Sequence, residues 1–314
     1  VIPATMATVL PLTGGPSLSD AATAFLNRRD LDADTLRSYR QTLTRLRTEL
    51  GDGVLLSDLT ADQTATVFTA VWENAAPRTW NRHRSTLRSF TTWAAARWSM
   101  TDLAALIERR RENTDTTKVI DRHLIEALWQ RRDLPLRDKA LFRLLYESAA
   151  RSAEVLGLDA GDLVPEAKRG RVRRKGGAID WILWQSGTAR LLPRLLAGRT
   201  RGPVFLTDRR TGPARTPAAA DLCPVTGRAR LSYERAEYLF KQATKAIDPT
   251  GAGYTLHQLR HSRLTHLGED GWSASMLMTL SGHRNLRTLG IYVQPSTEAV
   301  AAALAEHDPG RRRH

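Results

Sequence analysis

From Glu108 to Asp115 the chain reads Glu-Arg-Arg-Arg-Glu-Asn-Thr-Asp, a run without one apolar side chain, and this decides how many cores the chain can build. Such a stretch joins two packed segments rather than crossing one. Residues 103–117 are therefore expected to be an interdomain linker. It separates 18–102 from 118–307 in a chain of 314 residues, and each part is long enough for a core of its own. The tail 308–314, with Arg311-Arg312-Arg313-His314, is too short to fold.

Residues 18–102 predict several short helices separated by turn signals such as Gly51-Asp52-Gly53. The clearest helix begins near Thr79. There Trp80, His83, Leu87, Phe90 and Ala94 recur at helical spacing and form a buried stripe, while Asn81, Arg84, Ser85 and Arg88 share another face. Arginine forks with Asn and Ser hydrogen-bonding groups suit contact with phosphates and bases, although a solvated helix face has the same composition.

In the second part, Arg137–Glu147 carries an apolar stripe through Ala140, Leu141, Leu144 and Leu145. Asp162 to Trp184 reads as strands around a Lys175-Gly176-Gly177 turn, and helices dominate from Tyr233 onward. The Gly-, Pro- and Ala-rich stretch Thr207 to Arg228 is expected to be a surface loop or insertion.

The formal charge of +14, from 47 Lys and Arg against 33 Asp and Glu, favours a polyanionic partner such as nucleic acid; on charge alone an anionic membrane surface fits too. Residues 18–102 hold 11 Lys and Arg against 10 Asp and Glu, so most of the excess lies downstream. A single cysteine, Cys223, excludes an internal disulfide framework and a Cys-based zinc site. Val1 to Leu12 lacks a basic n-region, and no stretch reaches 18 apolar residues, so a soluble cytoplasmic protein is expected.

The side chains that could carry chemistry cluster late. In His257-Gln258-Leu259-Arg260-His261 the i, i+3 spacing sets His257 and Arg260 on one helix face, where both can grip one oxyanion. His257 and His261 at i, i+4 also resemble a zinc pair, but Gln258 stands where a metalloprotease helix needs glutamate. Ser281-Gly282-His283 is followed by Gly290-Ile291-Tyr292-Val293, with Pro295 ending the element. Upstream, Arg151 and Glu154 lie three apart at a helix junction, and Lys175 sits at the hairpin turn among Lys168, Arg169, Arg171, Arg173 and Arg174. Taken singly, each of these is an ordinary packing or surface residue.

The set in order, Arg151, Lys175, His257, Arg260, His283, Tyr292, resembles the tyrosine recombinase (phage integrase) family and its Xer-like members. The gaps of 24 from Arg151 to Lys175, 23 from Arg260 to His283 and 9 from His283 to Tyr292 match that family. Thr35-Leu36-Arg37-Ser38-Tyr39 and Ser85-Thr86-Leu87-Arg88-Ser89-Phe90 look like its N-terminal core-binding helices. The chain departs from the pattern at Ala149 and Ala150 before the first Arg, at Ser281 in place of the Leu of Leu-Gly-His, and at Ile179-Asp180-Trp181-Ile182 after the hairpin turn.

The resemblance implies a mainly α fold with a small β-sheet in the catalytic domain: a helical, SAM-like core-binding domain over 18–102 and a catalytic domain over 118–307, clamped around DNA. Arg151 and Arg260 would hold the scissile phosphate, His257 and His283 would add hydrogen bonds or proton transfer, and Glu154 would orient Arg151. Tyr292 would attack phosphorus to give a 3′-phosphotyrosyl link while Lys175 protonates the departing 5′-oxygen. No metal, cofactor or ATP is called for. Arg37, Asn81, Arg84, Arg88, Arg173 and Arg174 are the expected DNA contacts. The partners would be double-stranded DNA with a specific recombination site, no membrane, and further copies of the chain in a tetramer, docked through the helix Thr297–Glu306 with its apolar Val300, Ala301 and Leu304. A topoisomerase IB-like relaxing enzyme and a non-catalytic DNA-binding regulator of the same fold are the alternatives.

Overall fold

Side-chain oxygens start three of the helices in the first segment, where Ser, Asp or Thr precedes an apolar stripe. In this computed structural model, which describes residues 15–98, 100–112, 119–174, 177–210, 212, 217–283, 285, 289 and 305, Ser17 caps α1 (Leu18–Leu26) and Asp32 caps α2 (Ala33–Leu50). Thr60 and Gln63 form a reciprocal capping box on α3 (Ala61–Trp72), and Pro77 opens α4 (Pro77–Ala95) at a position where no backbone donor is needed.

The chain divides into two compact units, Val1–Thr116 and Thr117–His314. In the first, Phe25, Phe68, Phe90, Leu43, Leu46 and Leu87 are almost wholly buried. Each such side chain contributes roughly 1.5–3 kcal/mol relative to exposure. The stripe on α4 packs inward as its spacing predicts, His83 included: its ring stacks on Trp72 at 4.4 Å and its Nδ1 lies 2.8 Å from Thr42 Oγ1.

The first unit does not stop at 102. Leu103, Ala104 and Ile107 enter its core, although 103–117 is expected to be linker. Trp80 Nε1 donates to the Glu108 carbonyl, and Arg110 lies over the Trp80 ring while donating to the carbonyls of Glu73 and Ala75. Charge density conceals this packing in the sequence, because the segment's backbone groups are satisfied by α4 side chains rather than by water. Residues 113–117 of the expected linker lie outside the described residues.

The second unit begins with α5 (Arg122–Gln130) and is built around α6 (Leu136–Ser148), which is buried on nearly every side through Ala140, Leu141, Phe142, Leu144 and Leu145. After α6 comes the short α7 (Ser152–Leu156), then an antiparallel sheet of β1 (Leu163–Val164), β2 (Arg169–Arg173) and β3 (Ile179–Leu183). Arg173 pairs with Ile179 at the end of the hairpin next to the turn. Val172 and Ile182 point into the core, while Arg169 stacks outside on Trp181. Buried Glu147 accepts from the amides of Gln185 and Thr188, which supplies acceptors to the start of α8 (Ser186–Leu196).

The stretch expected as a loop, Thr207 to Arg228, instead contributes to a two-stranded antiparallel sheet of β4 (Leu206–Arg210) and β5 (Arg228–Arg230), with an irregularity between Leu206 and Arg210. Neither strand has the apolar alternation that marks a strand in sequence. The helices α9 (Tyr233–Thr244), α10 (Leu256–Glu269) and α11 (Ala274–Ser281) follow. A small cluster of Ala149, Leu264, Leu267, Leu277 and Leu289 packs beneath α10 and α11. The architecture is the expected one, mainly α with small antiparallel sheets. No helix among the described residues is long and apolar enough to cross a membrane.

Candidate active site

The turn after α6 is built to present one guanidinium. Ala149 adopts a left-handed conformation, φ 48°, and Ser148 Oγ bridges the Leu144 carbonyl and the Ala150 amide. Arg151 follows in extended backbone. Its amide donates to Glu154 Oε2 at 3.0 Å and its Nη1 to Glu154 Oε1 at 2.9 Å. The Glu154 side chain is buried at 5% exposure and that of Arg151 is 43% exposed, so a fixed carboxylate aims a cation that still faces outward.

Helix α10 brings the second guanidinium. Thr255 and Gln258 close a capping box at its start, and Leu259 and Leu264 are fully buried on either side of Arg260. Arg260 is 7% exposed; its Nη1 donates to the Ala149 carbonyl at 2.6 Å and its Nη2 to the Ser281 carbonyl at 3.0 Å. His257 stands exposed one turn earlier, whereas His261 is buried.

His283 completes the cluster just beyond α11. The Ser281 hydroxyl lies 2.5 Å from the Leu277 carbonyl, which takes its proton, so it accepts from His283 Nδ1 at 2.6 Å. This assigns the proton to Nδ1 and leaves Nε2, 3.4 Å from Arg260 Nη2, with its lone pair. Burial, with the charges of Arg260, Arg151 and Arg174, pushes the His283 pKa down to about 4. The imidazole is therefore neutral at neutral pH, in a setting made strongly cationic.

Of the expected catalytic set the structure gathers Arg151, Arg260 and His283, with Glu154 behind Arg151 and His257 one turn from Arg260. Lys175 and Tyr292 lie outside the described residues, as do the apolar residues of the expected C-terminal docking helix and the basic tail. The Ser281 contact is legible only as a departure from the family pattern, and nothing in the sequence says that it holds an imidazole.

The expected DNA contacts fare unevenly. Arg173 is exposed on β2, but Arg174 beside it is buried at 7% exposure and is no surface contact: the hairpin turns its side chain inward. Asn81 is committed within the first unit, bonding through Nδ2 to the Arg110 carbonyl and Glu112, and through Oδ1 to the Arg110 amide. Arg84 likewise donates to the Ile107 carbonyl. Both residues hold segment 103–112, which the sequence reading does not foresee. They also border a groove of about 930 Å³ whose walls carry Arg28, Arg78, Arg82, Arg88 and Arg109. Arg37, ion-paired with Asp34, does not line it.

Known proteins resemble the chain along most of its length. The sequence model of the phage integrase family matches residues 118–299, and that of the phage integrase N-terminal SAM-like domain matches 23–98. Tyrosine recombinase XerD of Ralstonia nicotianae is 28% identical over 311 residues, covering 96% of this chain and 97% of the relative. Among solved structures, the Tn1549 transposon integrase in complex with transposon right end DNA is similar in fold, with a TM-score of 0.70, 13% identity, and coverage of 93% of this chain and 99% of that one. A lambda integrase tetramer bound to a Holliday junction gives a TM-score of 0.65 at 18% identity, with coverage of 85% of this chain and 76% of that one. The chain belongs to the phage integrase family, and it is a tyrosine site-specific recombinase.

Proposed function

We propose that this recombinase cleaves and reseals its DNA through Tyr292, with Arg151 and Arg260 clamping the nonbridging oxygens of the scissile phosphate. A phosphodiester is an anion, and attack by a phenol adds charge to it, so charge neutralisation is the largest contribution a protein can make. The observation that carries the reading is the joining of Arg260 to the Ala149 carbonyl, two residues before Arg151, with a neutral His283 against the same guanidinium.

In the step proposed, the Tyr292 oxygen bonds to phosphorus as the bond from phosphorus to the 5′-oxygen breaks. The phenol's proton passes to an imidazole, His257 or His283, and Lys175 protonates the departing oxygen. A 5′-hydroxyl, from the same or a partner duplex, then reverses the reaction. One phosphodiester replaces another of similar energy, so no ATP enters, and side chains carry every proton.

Double-stranded DNA with a recombination site is the proposed substrate, met in the cytoplasm without a membrane partner. Arg88 and the groove of the first unit, with Arg173 of the second, would supply phosphate contacts. Assembly into a tetramer is proposed from the likeness to the lambda integrase assembly on a Holliday junction. The test is to incubate the full chain with a library of nicked duplexes and map the DNA covalently attached to protein. Wild type is expected to form SDS-stable adducts at a defined sequence, and Tyr292→Phe to bind the same DNA without an adduct. Adducts that persist in Tyr292→Phe overturn the assignment of the nucleophile.

A further inference from the structure

The turn of the β2–β3 hairpin holds a cation that the scheme above does not use. Arg174 begins a tight turn in which its amide donates to the Ala178 carbonyl and its own carbonyl accepts from Gly177. The side chain is 6% exposed. Its Nε lies 2.7 Å from Asp180 Oδ2, but outside hydrogen-bonding geometry, and none of its three guanidinium nitrogens makes a hydrogen bond among the described residues. Burying a guanidinium with one carboxylate beside it and no hydrogen bond is expensive unless a further anion arrives to meet it, since five N–H donors lose their water together.

Where the head group points is fixed by Gly282. A Cβ on that residue would lie 0.7 Å from Arg174 Nη1 and 2.0 Å from Cζ, so the guanidinium occupies space that only glycine leaves open. Gly282 also has φ +66°, which ends α11 in the left-handed region. It stands between Ser281, whose carbonyl accepts from Arg260, and His283. The Arg174 head therefore rests on the short peptide that carries the other members of the cluster. Its charge, with those of Arg260 and Arg151, is felt by the His283 imidazole. Glu154 is ion-paired with Arg151, and Asp180 with Arg174.

We infer that Arg174 is a third phosphate-binding arginine of this active site, donating to a nonbridging oxygen of the scissile phosphate alongside Arg151 and Arg260. Two aspects of the chain favour a direct contact over a packing role. Its donors are buried beside Gly282, next to His283, and make no hydrogen bond among the described residues, so they are left for a ligand at the cluster. It also immediately precedes Lys175, so capture of the phosphate by Arg174 sets the backbone of the proposed acid one residue from the reacting atoms. The inference rests on the reading of the cluster as the DNA-cleaving site.

The test uses the full chain and a nicked duplex bearing the sequence at which wild type forms its adduct. It is made in two versions, with an ordinary scissile phosphate or with a methylphosphonate, which lacks one charged nonbridging oxygen. Arg174→Met keeps the aliphatic stem, and Arg174→Lys keeps the charge. On the ordinary phosphate, Arg174→Met is expected to form adduct about 100-fold more slowly than wild type, the scale of losing one donor to a developing oxyanion, with Arg174→Lys in between. On the methylphosphonate the gap between wild type and Arg174→Met should close to within about threefold, because the oxygen charge and its partner have then both been removed. An equal loss on both substrates, or a lowered melting temperature with no loss of rate, overturns the inference and leaves Arg174 a structural residue. Absence of any wild-type adduct would instead overturn the underlying reading, and this inference with it.

Discussion

Arg260 Nη1 donates to the carbonyl of Ala149 at 2.6 Å, a bond between helix α10 and the turn that presents Arg151. The left-handed conformation of Ala149, φ 48°, shapes the turn that carries this carbonyl, and Arg260 Nη2 reaches the Ser281 carbonyl as well. One buried guanidinium thus sets the spacing of three segments. This makes Arg260 a residue whose shape matters beyond its charge.

Replacing it with lysine retains the charge and loses the fork. Arg260→Lys is expected to slow adduct formation by at least about 100-fold. It should also lower stability by about 1–3 kcal/mol, because one of two buried carbonyls is left without its donor. Single-turnover adduct assays and urea denaturation measure the two effects. A variant with unchanged rate would show that the fork is not needed at the phosphate.

How far the sequence discloses this arrangement differs between residues, for reasons that are physical. The stripe on α4 and the core positions of α6 are legible because burial imposes a period on apolar residues. The pairing of Arg151 with Glu154 is legible because both sit on one short turn. Arg174 is not, since a strand of alternating charges reads as a solvated edge until the turn geometry sends one side chain inward. Asn81 and segment 103–112 escape for a related reason. Their contacts are side chain to backbone, and such bonds leave no periodic trace, so a charge-rich segment reads as linker even where Leu103, Ala104 and Ile107 enter the core. The strands β4 and β5 are short and polar, and pairing between them is a tertiary fact.

The His283 environment predicts a titration. Its pKa is pushed down to about 4 by burial and by the three arginines, so above pH 6.5 the ring is neutral whether the chain is folded or unfolded. As pH falls from 6.5 towards 4 the unfolded chain takes a proton that the folded site refuses, and this residue's contribution lowers stability; below about pH 4 both states are protonated and the loss stops. NMR of labelled imidazoles should place the His283 midpoint near 4 in the protein without DNA and move it upward when a bound phosphate offsets the arginine charges. Nitrogen shifts should report the proton on Nδ1. In Ser281→Ala, which removes the acceptor 2.6 Å away, they should report a mixture of tautomers. A midpoint near 6.5 without DNA would show that the three guanidinium groups do not surround this ring.

On the first unit, neighbouring side chains of α4 should separate stability from DNA affinity. Asn81 spends both ends of its amide on Arg110 and on Glu112, whose carboxyl those contacts hold below the usual carboxylate range. Arg88 is exposed in the basic groove. Asn81→Ala removes the partners of a backbone amide and carbonyl, so it should lower the unfolding free energy by about 1–3 kcal/mol. Its effect on the salt dependence of DNA binding should be small, because no phosphate contact is lost. Arg88→Ala should leave stability within about 0.5 kcal/mol, as exposed substitutions do. It should weaken binding across all DNA sequences and reduce the slope of log affinity against log salt by about one, as expected for a lost phosphate contact. Denaturation curves alongside binding titrations at several salt concentrations distinguish the two. If Arg88→Ala left the salt slope intact while Asn81→Ala reduced it, DNA would be meeting α4 through the polar residues that segment 103–112 occupies, and that segment would have to release them on binding.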